Sequence, residues 1–533
     1  MQSSPSRAGK VNATPQIQLV TAAVFLCTCV VLYVLRAHHF VPSLDEGIFL
    51  DGARRILAGQ APYRDFFILM GPGSFWLQAG IFKLFGVTLS AAHTLPILDV
   101  AALAACVCWL VASRTTVRFA VWISAVFVIL ETADTGLNLP NHRWDSAAFA
   151  MLALTIAASS DRRRYLFLAG MCGAFAAWIT PTVGLASLAI VAFLWVRERA
   201  RCWPFLAGNG VISLVCAGVL AAQGALEPML RQMLWTGSNY SGANFLFYGS
   251  RLGGYGQFFA EAHGAAILGF AVLALGFTLP ALLPPVAISW LWSTRQQTAD
   301  SRSFSMQLLL VGGIALVVAT YPRMDARHLT YAAPAFYALC AILLAELPRR
   351  TLRSLVTGGI SALAILFGLY GIAANYAGQT TVTTAVGNLR ASSEDAAFVQ
   401  AVTQAIPKGT RSFVFPYFPI AYFVTLSQNP TRFSYLQPGM MNAEDESAAL
   451  TALRNSPPER VLYYDLPDKE ILRIWPSSDP ARLHLSTIES YLAANYQTIG
   501  RLSNNLGNFR ILSRNPALNA SAPVQSESLA GTK

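Results

Sequence analysis

The sequence is poor in charged residues. Only 12% of its 533 residues are Asp, Glu, Lys or Arg, whereas 54% are hydrophobic. Soluble domains carry about 25% charged residues, so this chain cannot coat a water-soluble protein of its length. Its apolar residues are gathered in long runs without charge, the pattern that a lipid bilayer requires. The composition excludes a soluble protein and predicts an all-α polytopic membrane protein.

Two further absences narrow the function. The net charge of +11 is not gathered on one amphipathic face, so we expect membrane lipid and no nucleic acid as a partner. Cysteine is missing from the polar outer segments, and none follows Cys340. Disulfide frameworks occur in exported polar regions, so none is expected here.

Apolar runs predict about eleven transmembrane helices. They cover the residues between Lys10 and Arg36 and residues 95–113, 119–133, 144–160, 165–179, 181–196, 203–222, 264–292, 304–320, 329–347 and 354–374. We interpret the first run as an uncleaved anchor. With a cytoplasmic N-terminus, every basic cluster falls inside, as the positive-inside rule requires: Arg114/Arg118, Arg162/Arg163/Arg164, Arg197/Arg199/Arg201, Arg295/Arg302 and Arg349/Arg350/Arg353.

This topology leaves three segments on the outer side: residues 37–94, residues 223–263 and everything after about 375. The run 73–86 is too short to cross a bilayer and contains Lys83, so we expect an interfacial helix there. A thirteen-helix arrangement stays open. The predicted location is the plasma (bacterial inner) membrane, with the C-terminal part extracytoplasmic.

The C-terminal part has a different pattern. Charged residues return after 375, and the β-rich runs 411–415, 460–464 and 508–512 alternate with helical stretches at 394–405 and 485–496. This alternation predicts a small extracytoplasmic α/β domain over 375–513, after a transmembrane domain over 1–374. Residues 514–533 are rich in Ala, Ser, Pro and Gln and predict a disordered tail.

Ionisable residues are nearly absent from the centres of the predicted helices and collect at their outer ends. A secondary transporter more often has a charged or broken-helix site near the midplane. The distribution favours an active site at the outer membrane surface.

The first candidate is the pair Asp45 and Glu46, where the chain leaves the first helix and enters an amphipathic pattern. A capping box with Ser43 as N-cap and Glu46 at the third position would explain Glu46 without function. Asp45 is not needed for such a box, so it is the better catalytic candidate.

The second candidate is His142-Arg143-Trp144-Asp145, at the outer start of a helix. Its ordinary explanation is helix capping, with Asp145 complementing the dipole and Trp144 in an interfacial belt. The third is the outer loop 321–328, which holds Arg323, Arg327 and His328. Two arginines in a short outer loop run against the charge bias and suggest a bound anion such as phosphate, the alternative being a salt bridge to Asp325.

Together these residues carry a resemblance. The first outer segment is similar to that of bacterial GT-C glycosyltransferases, near the protein-mannosyltransferase, aminoarabinose-transferase and RgtA/B/C/D-like group. The similar residues are Asp45-Glu46-Gly47, Ala53, Leu57-Ala58-Gly59, Pro62-Tyr63-Arg64-Asp65-Phe66-Phe67, Gly71-Pro72-Gly73 and Phe85-Gly86. The resemblance covers mainly residues 17–200, is weaker over 320–350, and is architectural in the C-terminal part.

The resemblance implies a glycosyltransferase that moves a hexosyl or pentosyl unit from a polyprenyl-phosphate carrier to a glycan, lipid or protein acceptor, with inversion. Asp45 would be the catalytic carboxylate, with Glu46 beside it. The site residues at the second acidic position would be His142, Arg143 and Asp145. Arg323, Arg327 and His328, or a divalent metal, would bind the phosphate.

Two other functions remain open. A transporter or flippase of lipid-linked sugars would share the membrane architecture but form no glycosidic bond. A polysaccharide polymerase or ligase is also many-helical, with a large outer loop, but is expected to rely on loop arginines rather than an acidic pair after the first helix.

Overall fold

The computed structural model describes residues 14–133, 138–250, 263–294 and 300–515. Each of the eleven apolar runs forms a helix within these residues. The helices of the membrane region are α1 Pro15–Arg36, α2 Glu46–Leu57, α3 Gly73–Phe85, α4 Leu89–Ala112, α5 Val117–Thr132, α6 His142–Ser159, α7 Arg163–Ile179, α8 Gly184–Arg197, α9 Arg199–Ala222, α10 Leu226–Asn244, α11 Ala265–Thr294, α12 Asp300–Ala319, α13 Ala326–Leu329, α14 Ala333–Ala345 and α15 Arg350–Tyr376. Helices α2 and α3 belong to the first predicted outer segment, and α10 and α13 belong to later ones.

Five of the described helices are long and apolar enough to cross a membrane by length and composition: α1, α4, α9, α11 and α15. Shorter apolar helices occur at 181–197, 304–319 and 333–345. The mostly helical membrane fold is therefore confirmed, whereas the number of crossings remains a prediction. Helix α3 has 13 residues, about 20 Å at 1.5 Å per residue, which is too short to cross a hydrocarbon core of about 30 Å.

Helix α4 is the centre of the helical bundle. In its most apolar window 78% of the residues are buried, against 17% to 22% in the other four long helices. It packs against α1, α5, α6 and α14. A central helix can be apolar on all sides, because its neighbours and not lipid surround it. The N-terminal end of α4 consequently lies among several helices that can supply side chains to one site.

The C-terminal part contains the predicted α/β structure. Its elements are β1 Thr380–Thr384, β2 Gly387–Ala391, α16 Ser393–Ala405, β3 Ser412–Phe415, α17 Ile420–Thr425, α18 Ala443–Asn455, β4 Arg460–Asp465, α19 Asp468–Ile474, α20 Ser486–Asn495, β5 Tyr496–Asn504 and β6 Gly507–Arg514. The hairpin β1–β2 stands apart from a four-stranded sheet of order β3-β4-β6-β5. Strands β3 and β4 are parallel and the other pairs are antiparallel.

The five β-rich and helical stretches predicted in this part coincide with β3, β4, β6, α16 and α20, whereas β1, β2 and β5 were not predicted. Strand β5 alternates only weakly and is largely exposed, so it lacks the apolar period that identifies a half-buried strand. The tail predicted from 514 lies, from residue 516 on, outside the described residues.

The first outer segment and the C-terminal part share one core. Gly47 on α2 touches the chain at α17 so closely that an added Cβ would lie 2.0 Å from the backbone nitrogen of Ile420. Arg55 donates to the carbonyl oxygen of Thr431 at 2.9 Å, and Ser434 donates to Asp51 at 2.6 Å. The C-terminal sheet is therefore held directly over the segment that carries Asp45. The predicted domain division at 374 and 375 stays a prediction.

Candidate active site

Helix α2 begins one residue after Asp45. The N-cap of α2 is Asp45, and its side chain makes no capping hydrogen bond. The hydroxyl oxygen of Ser43 accepts from the backbone N–H groups of Asp45 and Glu46, at 3.3 and 3.4 Å. Ser43 therefore closes a turn before the helix, and Glu46 is the first helical residue. The capping-box explanation of Glu46 is wrong, because Glu46 stands two positions too early for it.

The Glu46 carboxyl is turned inward. Glu46 is 1% exposed, and its Oε1 lies 3.2 Å from Nε2 of His93 on α4. Nδ1 of His93 lies 2.8 Å from the carbonyl oxygen of Arg36. A carbonyl only accepts, so Nδ1 carries a hydrogen and one further proton is shared between Nε2 and the carboxyl. This pair ties the first turn of α2 to α4 and to the end of α1, which makes Glu46 a positioning residue.

Asp45 faces outward and is exposed. Its Oδ1 accepts a hydrogen bond of 2.8 Å from the hydroxyl of Tyr417, in the C-terminal part. Burial raises the pKa of Tyr417 well above its usual range, and the Asp45 carboxylate adds to the effect. The phenol therefore stays protonated and donates. The Tyr417 ring is fixed by Tyr435 and Trp475, with ring centroids 4.9 and 5.1 Å away.

The second predicted segment divides into residues with different surroundings. Asn141 caps α6 by accepting from the backbone N–H of Arg143 at 2.9 Å. Nδ1 of His142 lies 2.6 Å from the hydroxyl oxygen of Thr180, and its ring stacks on Phe49 of α2. His142 thus packs α6 against α2 and the turn after α7.

Asp145 is 2% exposed and accepts a hydrogen bond from Ser74 of α3. The carboxyl group of Asp99 on α4 is a close neighbour of this carboxyl group. Asp145 therefore joins three helices beneath the surface, and direct contact with donor or acceptor remains a prediction for it.

Arg143 is the residue of this segment that suits a charged ligand. It is 9% exposed, and its guanidinium makes no hydrogen bond or ion pair with any of the described residues. Burying an unpaired guanidinium is costly, and a bound anion would offset that cost through charge-assisted hydrogen bonds.

Asp325 organises the third segment. As N-cap of α13 it accepts from the backbone N–H groups of Arg327 and His328, and its Oδ2 lies 2.8 Å from Nδ1 of His328. Nε of Arg323 lies 3.6 Å from the same carboxylate, and its NH2 group donates to the carbonyl oxygen of Ile474 at 3.1 Å. Arg323 thus forms the salt bridge to Asp325 that the alternative explanation of this loop expected. It also links the loop to the C-terminal part.

His328 is neutral near pH 7. Burial and, to a smaller extent, the nearby Arg143 lower its pKa to about 4, although Asp325 opposes the change. Since Nδ1 donates to Asp325, Nε2 is left as an acceptor. A role for His328 as a cation toward phosphate therefore requires the phosphate itself to raise this pKa.

The three predicted segments meet at Tyr331, between α13 and α14. Its ring lies 4.9 Å from that of Trp144 and 6.3 Å from that of His328, centroid to centroid. The charges that act on its hydroxyl belong to Arg143, Arg327, Asp45 and Asp325. One outward carboxylate and two arginines therefore lie near this point.

Sequence reasoning did not identify Tyr331, Tyr417 or His93. Tyr331 follows the third segment directly, and this proximity was the only local signal for it. Tyr417 lies 372 positions after Asp45, and nothing in the pattern around either residue indicates the contact.

No group of three or more His, Cys, Asp or Glu side chains suited to a metal ion occurs in the part of the chain that the structure describes. Asp45, the one carboxylate of the site that faces outward, has a tyrosine hydroxyl and not a second carboxylate as its hydrogen-bond partner. We therefore derive no step through a metal.

Comparisons with known proteins identify solved structures of similar fold but no relative by sequence. No family model and no curated protein matches the sequence. ArnT from Cupriavidus metallidurans bound to undecaprenyl phosphate is similar with a TM-score of 0.58 and 12% identity, over 96% of this chain and 100% of ArnT. Its apo state gives a TM-score of 0.55 at 12% identity, over 95% and 98%. ArnT is an aminoarabinose transferase of the GT-C class. At this identity the likeness shows the fold, and the GT-C fold implied by the sequence resemblance is confirmed.

Proposed function

We propose that this protein is a membrane glycosyltransferase that moves a monosaccharide from a polyprenyl-phosphate carrier to an acceptor at the outer face of the membrane. The observation that carries the proposal is the meeting of Asp45, Arg143 and Arg327 around Tyr331. The solved structure of ArnT with undecaprenyl phosphate supports it, because that protein has the same fold and binds a polyprenyl phosphate.

The physical argument begins with the donor. A sugar on a polyprenyl phosphate stays at the membrane surface, so a base and cations must meet it there. The buried Arg143 and the exposed Arg327 next to an exposed carboxylate suit this reaction, since the phosphate needs compensation while the acceptor hydroxyl needs a base. Arg143 and Arg327 are the proposed phosphate ligands, with Arg323 and His328 holding the loop through Asp325.

In the proposed step the acceptor oxygen forms a bond to C1 of the sugar while the bond from C1 to the phosphate oxygen breaks. Asp45 takes the acceptor proton, and the phosphate leaves with the bonding electron pair. C1 passes through oxocarbenium-like character, as in other glycosyl transfers. One displacement inverts the anomeric centre. Tyr417 holds Asp45 by donating to Oδ1, so that Oδ2 is directed at the acceptor.

Glu46, His142 and Asp145 act as positioning residues in this proposal. Each is fixed by a partner on another element: Glu46 by His93, His142 by Thr180, and Asp145 by Ser74. They hold α2, α6 and α3 in register, so their replacement changes the geometry of Asp45 and Arg143 without removing a reacting group.

Product analysis tests the proposal. Purified protein in lipid nanodiscs is given radiolabelled polyprenyl-phosphate sugars one at a time, with candidate glycan, lipid and protein acceptors, with and without EDTA. Transfer of one sugar with inverted configuration supports the proposal. Movement of the lipid-linked sugar across liposomes without a new glycosidic bond identifies a flippase, and transfer of a whole glycan block identifies a polymerase or ligase.

The proposed orientation has a cytoplasmic N-terminus and an extracytoplasmic C-terminal part, in the plasma membrane. It rests on the positive-inside distribution of the basic clusters. Reporter fusions after residues 116 and 376 test it, because an enzyme active only outside should report activity at 376 and none at 116. The opposite pattern would contradict the orientation.

A further inference from the structure

A cavity of about 330 Å³ lies in the C-terminal part, outside the site described above. Phe415, the last residue of β3, and Asp465, the last residue of β4, both line it. We call it the strand-end cleft. These two strands are parallel, and open α/β sheets bind ligands beyond the carboxyl ends of their parallel strands. Its volume lies at the lower end of small-molecule pockets, about 300–1,000 Å³.

The lining of the strand-end cleft combines an aromatic ring with hydrogen-bonding groups. Phe415, Tyr463 and Tyr464 supply the rings of the lining. Arg510, outside the lining, stacks on one face of Tyr463 with its guanidinium 4.3 Å from the ring centroid and pairs with Asp465 at 2.7 Å. His484, also in the lining, lies between two carboxylates, 3.0 Å from Asp468 and 3.5 Å from Glu489. The cleft therefore offers fixed donors and acceptors beside an aromatic wall.

The strand-end cleft adjoins the candidate active site. Pro416 lines the cleft, and the next residue, Tyr417, donates to Asp45. On the other side Ile471 of α19 lines the cleft, and the end of α19 accepts the hydrogen bond from Arg323. Tyr417 and Trp475, which directly follow Pro416 and α19 in the chain, contact each other with ring centroids 5.1 Å apart.

We propose that the strand-end cleft binds a saccharide, the part of the acceptor that does not react. This rests on the proposed function and makes the acceptor a glycan. A sugar has an apolar ring face for an aromatic wall and several hydroxyls that both donate and accept, which suit paired carboxylates and an imidazole. Holding a distant sugar would supply orientation to the reacting hydroxyl near Asp45.

Saturation-transfer NMR on the full-length protein in nanodiscs tests the proposal without any donor lipid, so it does not depend on transfer activity. The probes are the methyl glycosides of glucose, galactose, mannose, N-acetylglucosamine and arabinose, with spermidine as a cationic comparison. His484→Ala and Glu489→Gln change exposed or half-exposed rim residues. Glu470→Gln is the matched control, since Glu470 pairs with Arg473 outside the lining.

We expect saturation transfer to at least one glycoside in the wild type and in Glu470→Gln. Each rim variant should bind it about tenfold more weakly, the order expected for losing one hydrogen bond to a charged group. Transfer to no glycoside, equal affinity in the rim variants, or transfer to spermidine alone would overturn the saccharide site. If glycoside binding is present and product analysis finds no glycosyl transfer, the proposed function fails while the cleft remains a saccharide site.

Discussion

Replacing Asp45 with Asn tests the catalytic role of this carboxylate while largely preserving the fold at the start of α2. The amide keeps the shape of the carboxylate, and its oxygen can still accept from the Tyr417 hydroxyl, which lies 2.8 Å from Oδ1 in the wild type. Changing this acceptor from charged to neutral weakens one hydrogen bond by about 1 kcal/mol. The buried Tyr417 keeps its acceptor in this variant, so no buried group loses its partner. The Tm of Asp45→Asn should fall by about 2–4 °C at most.

The loss of transfer should be far larger than this loss of stability. A general base contributes about 10²–10⁴-fold, which corresponds to about 3–5 kcal/mol of activation free energy. We expect kcat to fall by that factor, while KM for the lipid-linked sugar stays nearly unchanged because the phosphate ligands are intact. The assay is single-sugar transfer by purified protein in nanodiscs, with the Tm measured on the same samples.

The matched control is Asp65→Asn in the same outer segment, where the carboxylate pairs with Arg64 at 2.7 Å. This variant should transfer at nearly the wild-type rate. Wild-type kcat in folded Asp45→Asn, or an equal loss in Asp65→Asn, would refute the reasoning that makes Asp45 the base.

Three further predictions address the surroundings of Asp45. Arg143→Gln should raise KM for the lipid-linked sugar about tenfold, since one charge-assisted hydrogen bond to phosphate is lost; unchanged steady-state KM would exclude Arg143 from the phosphate site. The pKa of His328 is about 4 in the folded protein and about 6.5 in the unfolded protein. Between these pH values the unfolded state binds more protons, so the free energy of unfolding should fall by up to about 3 kcal/mol as the pH drops from 6.5 to 4. Thermal unfolding should show a flatter pH profile in His328→Gln, and identical profiles would contradict the assignment. His93→Leu leaves Glu46 buried without its partner and should cost about 3–5 kcal/mol; adding Glu46→Leu should recover part of this stability, and no recovery in thermal unfolding would argue against the pair.

Much of the candidate site could be chosen from the sequence, but its geometry could not. Asp45, Arg143 and Arg327 were selected because each is a charged residue at the outer end of a predicted membrane helix or in an outer loop. Membrane insertion does not require a charge at these positions, so a functional role was the simplest explanation. The same reasoning grouped Asp145 with Arg143, although the structure turns Asp145 into the helix bundle toward Asp99 and Ser74. Neighbours on a helix point in different directions, and a single helix start does not reveal which direction faces the site.

The sequence by itself determined the helices of the membrane part and the main strands of the C-terminal part, because a bilayer and a half-buried sheet each impose an apolar period that is written along the chain. Only the tertiary structure decided that residues 45, 143 and 327 lie near Tyr331, and that Tyr417 donates a hydrogen bond to Asp45. Such contacts depend on how distant segments pack, and packing between distant segments leaves no periodic pattern in either one.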